Sequence, residues 1–220
     1  MTPRIKICCI ASLAEARQAI AAGADALGLV SAMPSGPGPI DEALIAEIAA
    51  QVPAPVQTFL LTSKVRAHDI IEQHRRCRTS TLQLVDHVAN DQLQQLRQAL
   101  PGVQLVQVIH VRDAASIDAA LAVAPWVDAL LLDSGNPQAA VKELGGTGRV
   151  HDWELSRRIC LLSPKPVFLA GGLNAGNVAA AVRTVRPHGV DVCSGLRSQG
   201  RLDADKLNAY VAALRGTENP

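Results

Sequence analysis

Short aliphatic runs bounded by Gly, Pro or Asp alternate along this chain with longer stretches whose apolar residues recur at helical spacing. The strand-like runs are residues 4–9 (RIKICC), 25–30 (DALGLV), 56–62 (VQTFLLT), 80–84 (STLQL), 103–109 (VQLVQVI), 127–132 (VDALLL), 166–170 (PVFLA) and 189–192 (GVDV). Between them Leu13, Ala16 and Ile20 share one helical face, as do Leu93, Leu96 and Leu100, and Val178, Val182 and Val185. Asp91, Asp113 and Asn174 stand ahead of such series as expected N-caps, and Gly23 and Gly102 follow helices as expected left-handed closing residues.

Strands buried on both faces read as continuous apolar runs, and a regular strand–helix alternation calls for crossover connections and a parallel sheet. About eight such units in 220 residues fit an α/β fold in which residues 1–220 form a single-domain (β/α)8 TIM barrel. A doubly wound open sheet is the rival. Its dinucleotide fingerprint puts a Gly-rich turn after the first strand, whereas the Gly-rich segments here follow the last three. The run PSGPGP at 34–39 reads as the loop after the second strand.

Composition limits the partners. Lys and Arg number 21 against 20 Asp and Glu, so no charge excess is available to hold a nucleic-acid backbone or an anionic membrane. Aromatic residues make up 2% of the chain, too few for a base-stacking platform, so a small-molecule ligand is expected. No apolar run approaches the roughly 18–20 residues of a membrane span, and the N-terminus lacks a charged-then-apolar leader, which predicts a cytoplasmic protein. Cys8, Cys9, Cys77, Cys160 and Cys193 are odd in number and lack Cys-x-x-Cys spacing, so reduced thiols are expected, with no zinc site.

In a barrel of this kind, reactive groups come from the carboxyl ends of the strands. Gly145-Gly146-Thr147-Gly148, Ala170-Gly171-Gly172-Leu173-Asn174 and Ser194-Gly195 would stand there, where glycine lets backbone N–H groups approach an anion. They read as a phosphate cradle, or individually as tight turns. Strand alternation places Lys6 and Cys8 on one face and Ile5, Ile7 and Cys9 on the other, so one cysteine of the pair should face the mouth. Cys8 is then either an inert buried hydrophobe or a base, and a base calls for a lowered thiol pKa. Asp133 closes the apolar run Leu130-Leu131-Leu132, where a carboxylate needs a partner, a helix to cap or a function. A thiolate and a carboxylic acid facing each other across one pocket, beside a phosphate, are the parts of an acid–base isomerase. His110 follows the fifth strand and is placed to touch a ligand. His68, His74 and His188 lie in polar context and are expected at the surface, while His87 and His151 fall in loops near the mouth.

One ordered series of motifs spans nearly the whole chain: Lys6-Ile7-Cys8, the run 22–28 (AGADALG), Leu82-Gln83-Leu84, Leu131-Leu132-Asp133-Ser134, Gly145-Gly146-Thr147-Gly148, Asp152-Trp153, the run 169–174 (LAGGLN), Gly189-Val190-Asp191 and Ser194-Gly195. In order and spacing the series resembles the phosphoribosylanthranilate isomerase family, (β/α)8 enzymes of tryptophan biosynthesis. The resemblance implies an Amadori rearrangement of an aminoaldose phosphate to an aminoketose phosphate, an aldose–ketose isomerisation by general acid–base catalysis without cofactor or metal. Carried over, Asp133 protonates the ring oxygen and Cys8 removes the C2 proton. Gly146, Gly148, Gly171, Gly172, Ser194 and Gly195 hold the phosphate, and Lys6, Gln83, His110 and Asp191 contact the rest of a phosphorylated sugar amine. The departures are Cys9 for the family's Gly, Gly36-Pro37-Gly38 for Ser-Pro-Arg, and Gln83-Leu84-Val85-Asp86 for Gln-Leu-His-Gly. The missing arginine resembles a clamp for the anthranilate carboxylate. The family substrate should therefore be used poorly, and Gly38→Arg should improve KM, unless Arg149, Lys64 or Arg66 reaches in. A paralogous isomerase for another phosphosugar, or a barrel that only binds a phosphometabolite, stands as the alternative.

Overall fold

The computed structural model describes residues 3–135 and 150–218. Eight parallel strands close on themselves in chain order: β1 (Arg4–Ile7), β2 (Ala26–Val30), β3 (Gln57–Thr62), β4 (Thr81–Leu84), β5 (Gln104–His110), β6 (Ala129–Asp133), β7 (Val167–Leu169) and β8 (Gly189–Val192). Around them run α1 (Leu13–Ala21), α2 (Glu42–Gln51), α3 (Ala67–Cys77), α4 (Asn90–Ala99), α5 (Ala115–Val123), α6 (Trp153–Leu162), α7 (Val178–Val185) and α8 (Ala204–Arg215). A two-stranded hairpin, β9 (Arg197–Ser198) and β10 (Arg201–Leu202), lies between β8 and α8. The expected barrel is the fold, and the open sheet is excluded because β1 pairs with β8 from Arg4↔Gly189 to Ile7↔Val192. Among the described residues no helix is long and apolar enough to cross a membrane.

The pleat of the closed sheet divides the apolar residues into two cores. Ile5, Ile7, Leu27, Leu29, Leu60, Leu82, Leu84, Leu105, Leu130, Leu132 and Leu169 point outward and pack beneath the helices. The alternate positions, among them Cys8, Ala26, Val30, Phe59, Leu61, Val106, Val108, Ala129, Leu131 and Phe168, fill the barrel. Both sets are buried, which is why these strands read as unbroken apolar runs. At the inner end of the barrel Gly189 leaves room for Phe168, whose ring would come within 2.5 Å of a Cβ there. Nearer the mouth, Gly28 leaves room for Cys8 Sγ and Lys6 Nζ, which would lie 2.7 and 3.1 Å from a Cβ.

Gly23 (φ 97°) and Gly102 (φ 88°) close helices in the left-handed region as expected. The three expected N-caps are each displaced. Asp91 lies inside α4, where its charge suits the first turn but Ala89 is the cap. The cap of α5 is Ala114, although Asp113 Oδ1 accepts from Ala115 N at 2.9 Å. Asn174 belongs to a separate turn, accepting from Gly176 N through Oδ1 at 2.8 Å, and α7 begins only at Val178. His74 is buried rather than at the surface, because its Nε2 reaches Thr79 O at 2.8 Å and joins α3 to the start of β4.

Candidate active site

Polar or titratable side chains face inward at the carboxyl half of the barrel, among them Lys6, Cys8, Gln83, Asp133 and Asp191. Lys6 and Cys8 come from β1 and its end, Asp133 from the last residue of β6, and Asp191 from β8. Cys8, Asp133 and Asp191 line one pocket with Gln83, Val30, Leu61, Val85 and the 170–173 and 192–194 segments. Its empty space, open mouth included, is about 690 Å³. The strand register brings the polar groups together: Lys6 lies opposite Asp191 across the β1–β8 seam, and Asp133 lies opposite His110 across β5–β6.

Lys6 does not reach the pocket wall. It is fully buried beneath it, with Nζ 2.8 Å from Asp191 Oδ1 and 5.3 Å from the Phe59 ring centroid. Burial alone would lower its pKa, but the Asp191 carboxylate and then Cys8 more than offset this, so the ammonium is held above its ordinary value of 10.5. Burial drives the Cys8 thiol the other way from the lowered value a resting base calls for. It rises to about 11 despite the pull of Lys6. Asp133 also rises, because burial outweighs the Ser134 N–H it accepts at 2.7 Å and the charge of His110. In the free protein the thiol and the carboxyl group are therefore both biased toward their protonated forms.

Gln83 Oε1 is buried at the pocket wall without a hydrogen-bond partner among the described residues, a group that a ligand donor can satisfy. His110 Nε2 instead meets Val85 O at 3.0 Å, and the ring lies outside the pocket lining, beside Asp133. Of the expected phosphate loops, Gly146 and Gly148 lie outside the described residues. Gly171 (φ 82°), Gly172 (φ 64°) and Ser194 line the pocket. Gly195 sits behind them, and a Cβ there would collide with Leu173 O, so the loops after β7 and β8 pack together only because residue 195 has no side chain. Among the described residues no group of three or more His, Cys, Asp or Glu side chains is placed to hold a metal ion.

Two expectations fail at Cys9, one from strand alternation and one from the cysteine count. The chain turns into the left-handed region there (φ 62°), so the pleat ends at Cys8 and both cysteines line the pocket. Cys9 is not a reduced thiol either: it forms a disulfide with Cys193, at a Cα–Cα distance of 5.9 Å. Nor did sequence reasoning find what secures this bend. Arg197 Nη2 donates to Cys8 O at 3.4 Å and also to Cys9 O, while its guanidinium pairs with Glu15 Oε2 at 3.1 Å. Glu15 accepts in turn from Ala11 N at 3.0 Å and Leu202 N at 2.9 Å, so the end of β1, the start of α1 and β10 are tied to one partly buried ion pair. Its members stand 182 residues apart, and no local pattern marks them.

The glycine at 38 has a structural reason as well. Its φ is 81°, and a Cβ there would lie 2.6 Å from Cys9 Cβ. The expected gain from Gly38→Arg is therefore replaced by its opposite. The variant should melt lower than the parent and show no improvement in KM, which thermal denaturation and steady-state kinetics on the two proteins will measure. An arginine that raised affinity without lowering the melting temperature would show that the 36–38 turn repacks freely.

The fold and this pocket define an α/β-barrel enzyme of the isomerase class. The chain belongs to the N-(5'-phosphoribosyl)anthranilate isomerase family, whose model matches residues 5–213. The enzyme of that name from Haloferax volcanii is 37% identical over 214 residues, covering 96% of this chain and 93% of its own. The crystal structure of phosphoribosyl anthranilate isomerase from Thermotoga maritima superposes with a TM-score of 0.83 at 25% identity, over 97% of this chain and 99% of its own. A further phosphoribosyl anthranilate isomerase structure, in complex with reduced 1-(o-carboxyphenylamino)-1-deoxyribulose 5-phosphate, shares the fold with a TM-score of 0.81 at 23% identity, over 97% and 99% of the two chains.

Proposed function

We propose that this pocket converts N-(5'-phosphoribosyl)anthranilate to the corresponding aminoketose phosphate by an Amadori rearrangement, as a step of tryptophan biosynthesis. The observation that carries the reading is the placement of a carboxyl group biased toward protonation and a thiol at the ends of β6 and β1, on the wall of one pocket. Asp133 donates its proton to the furanose oxygen as the C1–O bond breaks, leaving a protonated Schiff base between C1 and the anthranilate nitrogen. Cys8 releases its thiol proton to solvent at the open pocket mouth as the iminium forms. As the thiolate it takes the C2 proton, and the electron pair of that C–H bond neutralises the iminium. The resulting enolamine becomes the ketone when its hydroxyl proton leaves and C1 is protonated.

The high resting pKa of Cys8, about 11, fits this order of events. Ionising a buried thiol is unfavourable in the empty pocket, but the iminium formed by ring opening puts a positive charge where the thiolate is needed. A thiolate with so high a proton affinity is then a strong base for a carbon acid. Lys6 and Asp191 hold the electrostatics beneath it, and Gln83 Oε1 accepts a hydrogen bond from the sugar or amine. The phosphate is held by the backbone of Gly171, Gly172, Ser194 and Gly195, with Gly146 and Gly148 completing the cradle. The ligand in the structural neighbour, the reduced form of a carboxyphenyl-bearing aminoketose phosphate, supports this assignment.

Steady-state conversion of phosphoribosylanthranilate, followed by chromatography of the aminoketose, tests the reading. Turnover is expected, and inorganic phosphate should raise KM without lowering kcat, because it occupies the cradle and leaves the acid–base pair free. Turnover of another phosphosugar amine with none of phosphoribosylanthranilate would overturn the substrate assignment. Phosphate that lowered kcat with KM unchanged would overturn the assignment of the cradle.

A further inference from the structure

A covalent link lies beside the proposed acid–base pair. Cys8 N donates to Val192 O at 2.8 Å, the last ladder bond of the β1–β8 seam, and the Cys9–Cys193 disulfide joins the two strands one residue further toward the mouth. Both half-cystines line the pocket, and Cys9 adjoins Cys8 in the chain. Cys9 is buried at 4% exposure while Cys193 is half-buried, so Cys193 is the more accessible half of the bond. Cys9 also holds a backbone conformation (φ 62°) that residues other than Gly rarely adopt. Besides the Arg197 contact to its carbonyl, the disulfide is what binds that residue to the opposite strand. The reduced form has a place to go: Cys9 Sγ lies 3.7 Å from Pro37 O, an acceptor for a thiol S–H in the 36–38 turn.

We propose that Cys9–Cys193 is a reversible thiol–disulfide site, taking a low-molecular-weight thiol as co-reactant, whose closure keeps the end of β1 in the shape that places Cys8 in the pocket. In the opening reaction the thiolate of the small thiol attacks Cys193 Sγ. The S–S bond breaks, and its electron pair leaves with Cys9, which is protonated. A second small thiolate attacks the mixed disulfide, releasing the Cys193 thiolate to be protonated, and leaves as the small-molecule disulfide. The protein gains two electrons and the two small thiols lose them, and excess small-molecule disulfide reverses the sequence. Opened, Cys9 is free to leave the left-handed region, and Cys8 moves with it. The effect on turnover rests on the isomerase reading above, whereas the chemistry of the site does not.

The experiment holds the full chain at a series of reduced-to-oxidised dithiothreitol ratios, then measures three things at each. These are the alkylation state of Cys9 and Cys193 by peptide mass spectrometry, the rate at which iodoacetamide labels Cys8, and kcat/KM for phosphoribosylanthranilate. One reversible transition is expected in all three, with kcat/KM lower in the reduced form on the order of 10-fold, since small misplacements of a reacting group are costly. Cys193→Ala should fix the chain at the reduced-form rates. Cys9→Gly should respond to no reductant yet exceed Cys193→Ala in activity, because glycine holds the left-handed backbone without a crosslink. The proposal is overturned if Cys9 and Cys193 are fully alkylated under oxidising conditions, or if Cys8 labelling is the same in both states. It is equally overturned if Cys193→Ala matches the oxidised parent. A chain that turns over no phosphoribosylanthranilate in either state, while thiol mapping and Cys8 labelling still shift together, supports the site and removes the substrate reading instead.

Discussion

Cys8→Ala and Asp133→Asn are each expected to lower kcat at least roughly 10²-fold while moving KM little, because a proton-transfer group acts in the transition state and contributes little to ground-state binding. Stability should separate the two variants from simple damage to the fold. Asp133 has its folded pKa raised by burial, so the native state holds a proton that the unfolded chain releases above about pH 3.8. Its contribution to stability therefore falls as pH rises from there to the folded value. Asn removes that penalty, and Asp133→Asn should melt at neutral pH no lower than the parent while losing activity. For Cys8, whose pKa rises to about 11, labelling by iodoacetamide in the empty enzyme should quicken about tenfold per pH unit from neutral toward pH 10. Full activity without Cys8, or a labelling rate that levels off near neutrality, would refute its assignment as a base generated during turnover.

Lys6→Met is expected to destabilise the protein by about 3–5 kcal/mol, since it leaves the Asp191 carboxylate buried without its partner. For a chain of this size that corresponds to a fall in Tm of about 6–20 °C. The sign with pH is set by the raised Lys6 pKa: the parent's advantage is complete at neutral pH and disappears only as pH climbs above 10.5 through the folded value. Replacing both partners, as Lys6→Met with Asp191→Leu, should recover much of the stability, because two apolar groups leave no charge unpaired. It should not recover activity, because Lys6 and Asp191 also set the electrostatics around Cys8 and Asp133. Thermal melts and kinetics on the single and double variants measure both effects. A double variant with parental kcat would confine the pair to a structural role.

The two residues proposed as the acid–base pair were legible as strand-end positions because they sit on periodic elements. Cys8 and Asp133 end apolar runs, and in a parallel barrel the end of a strand is also the mouth of the pocket, so position along a strand translates directly into position in the site. The same periodicity misled at Cys9. Alternation assigns it to the outer face only while the backbone stays extended, and a left-handed residue ends that rule without leaving a mark in residue type. The reduced-thiol expectation failed for a related reason. Cys9 and Cys193 are 184 residues apart, and only the closure of β8 onto β1 brings their Cα atoms to 5.9 Å.

What the sequence determined by itself is therefore what repeats at short range: eight strand–helix units, the parallel barrel they imply, the inward and outward faces of each strand, and the two groups placed at strand ends. Tertiary structure decided everything that depends on the seam. It set the raised pKa values of Cys8 and Asp133, which come from burial by distant segments, and the Lys6–Asp191 pair, which forms across 185 residues. It also set the Glu15–Arg197 tie and the bar against a side chain at position 38, where Cys9 Cβ already occupies the space. Periodicity is a property of neighbours along the chain, whereas desolvation, charge pairing and steric exclusion are properties of neighbours in space, and a closed barrel makes its first and last strands neighbours only once it has closed.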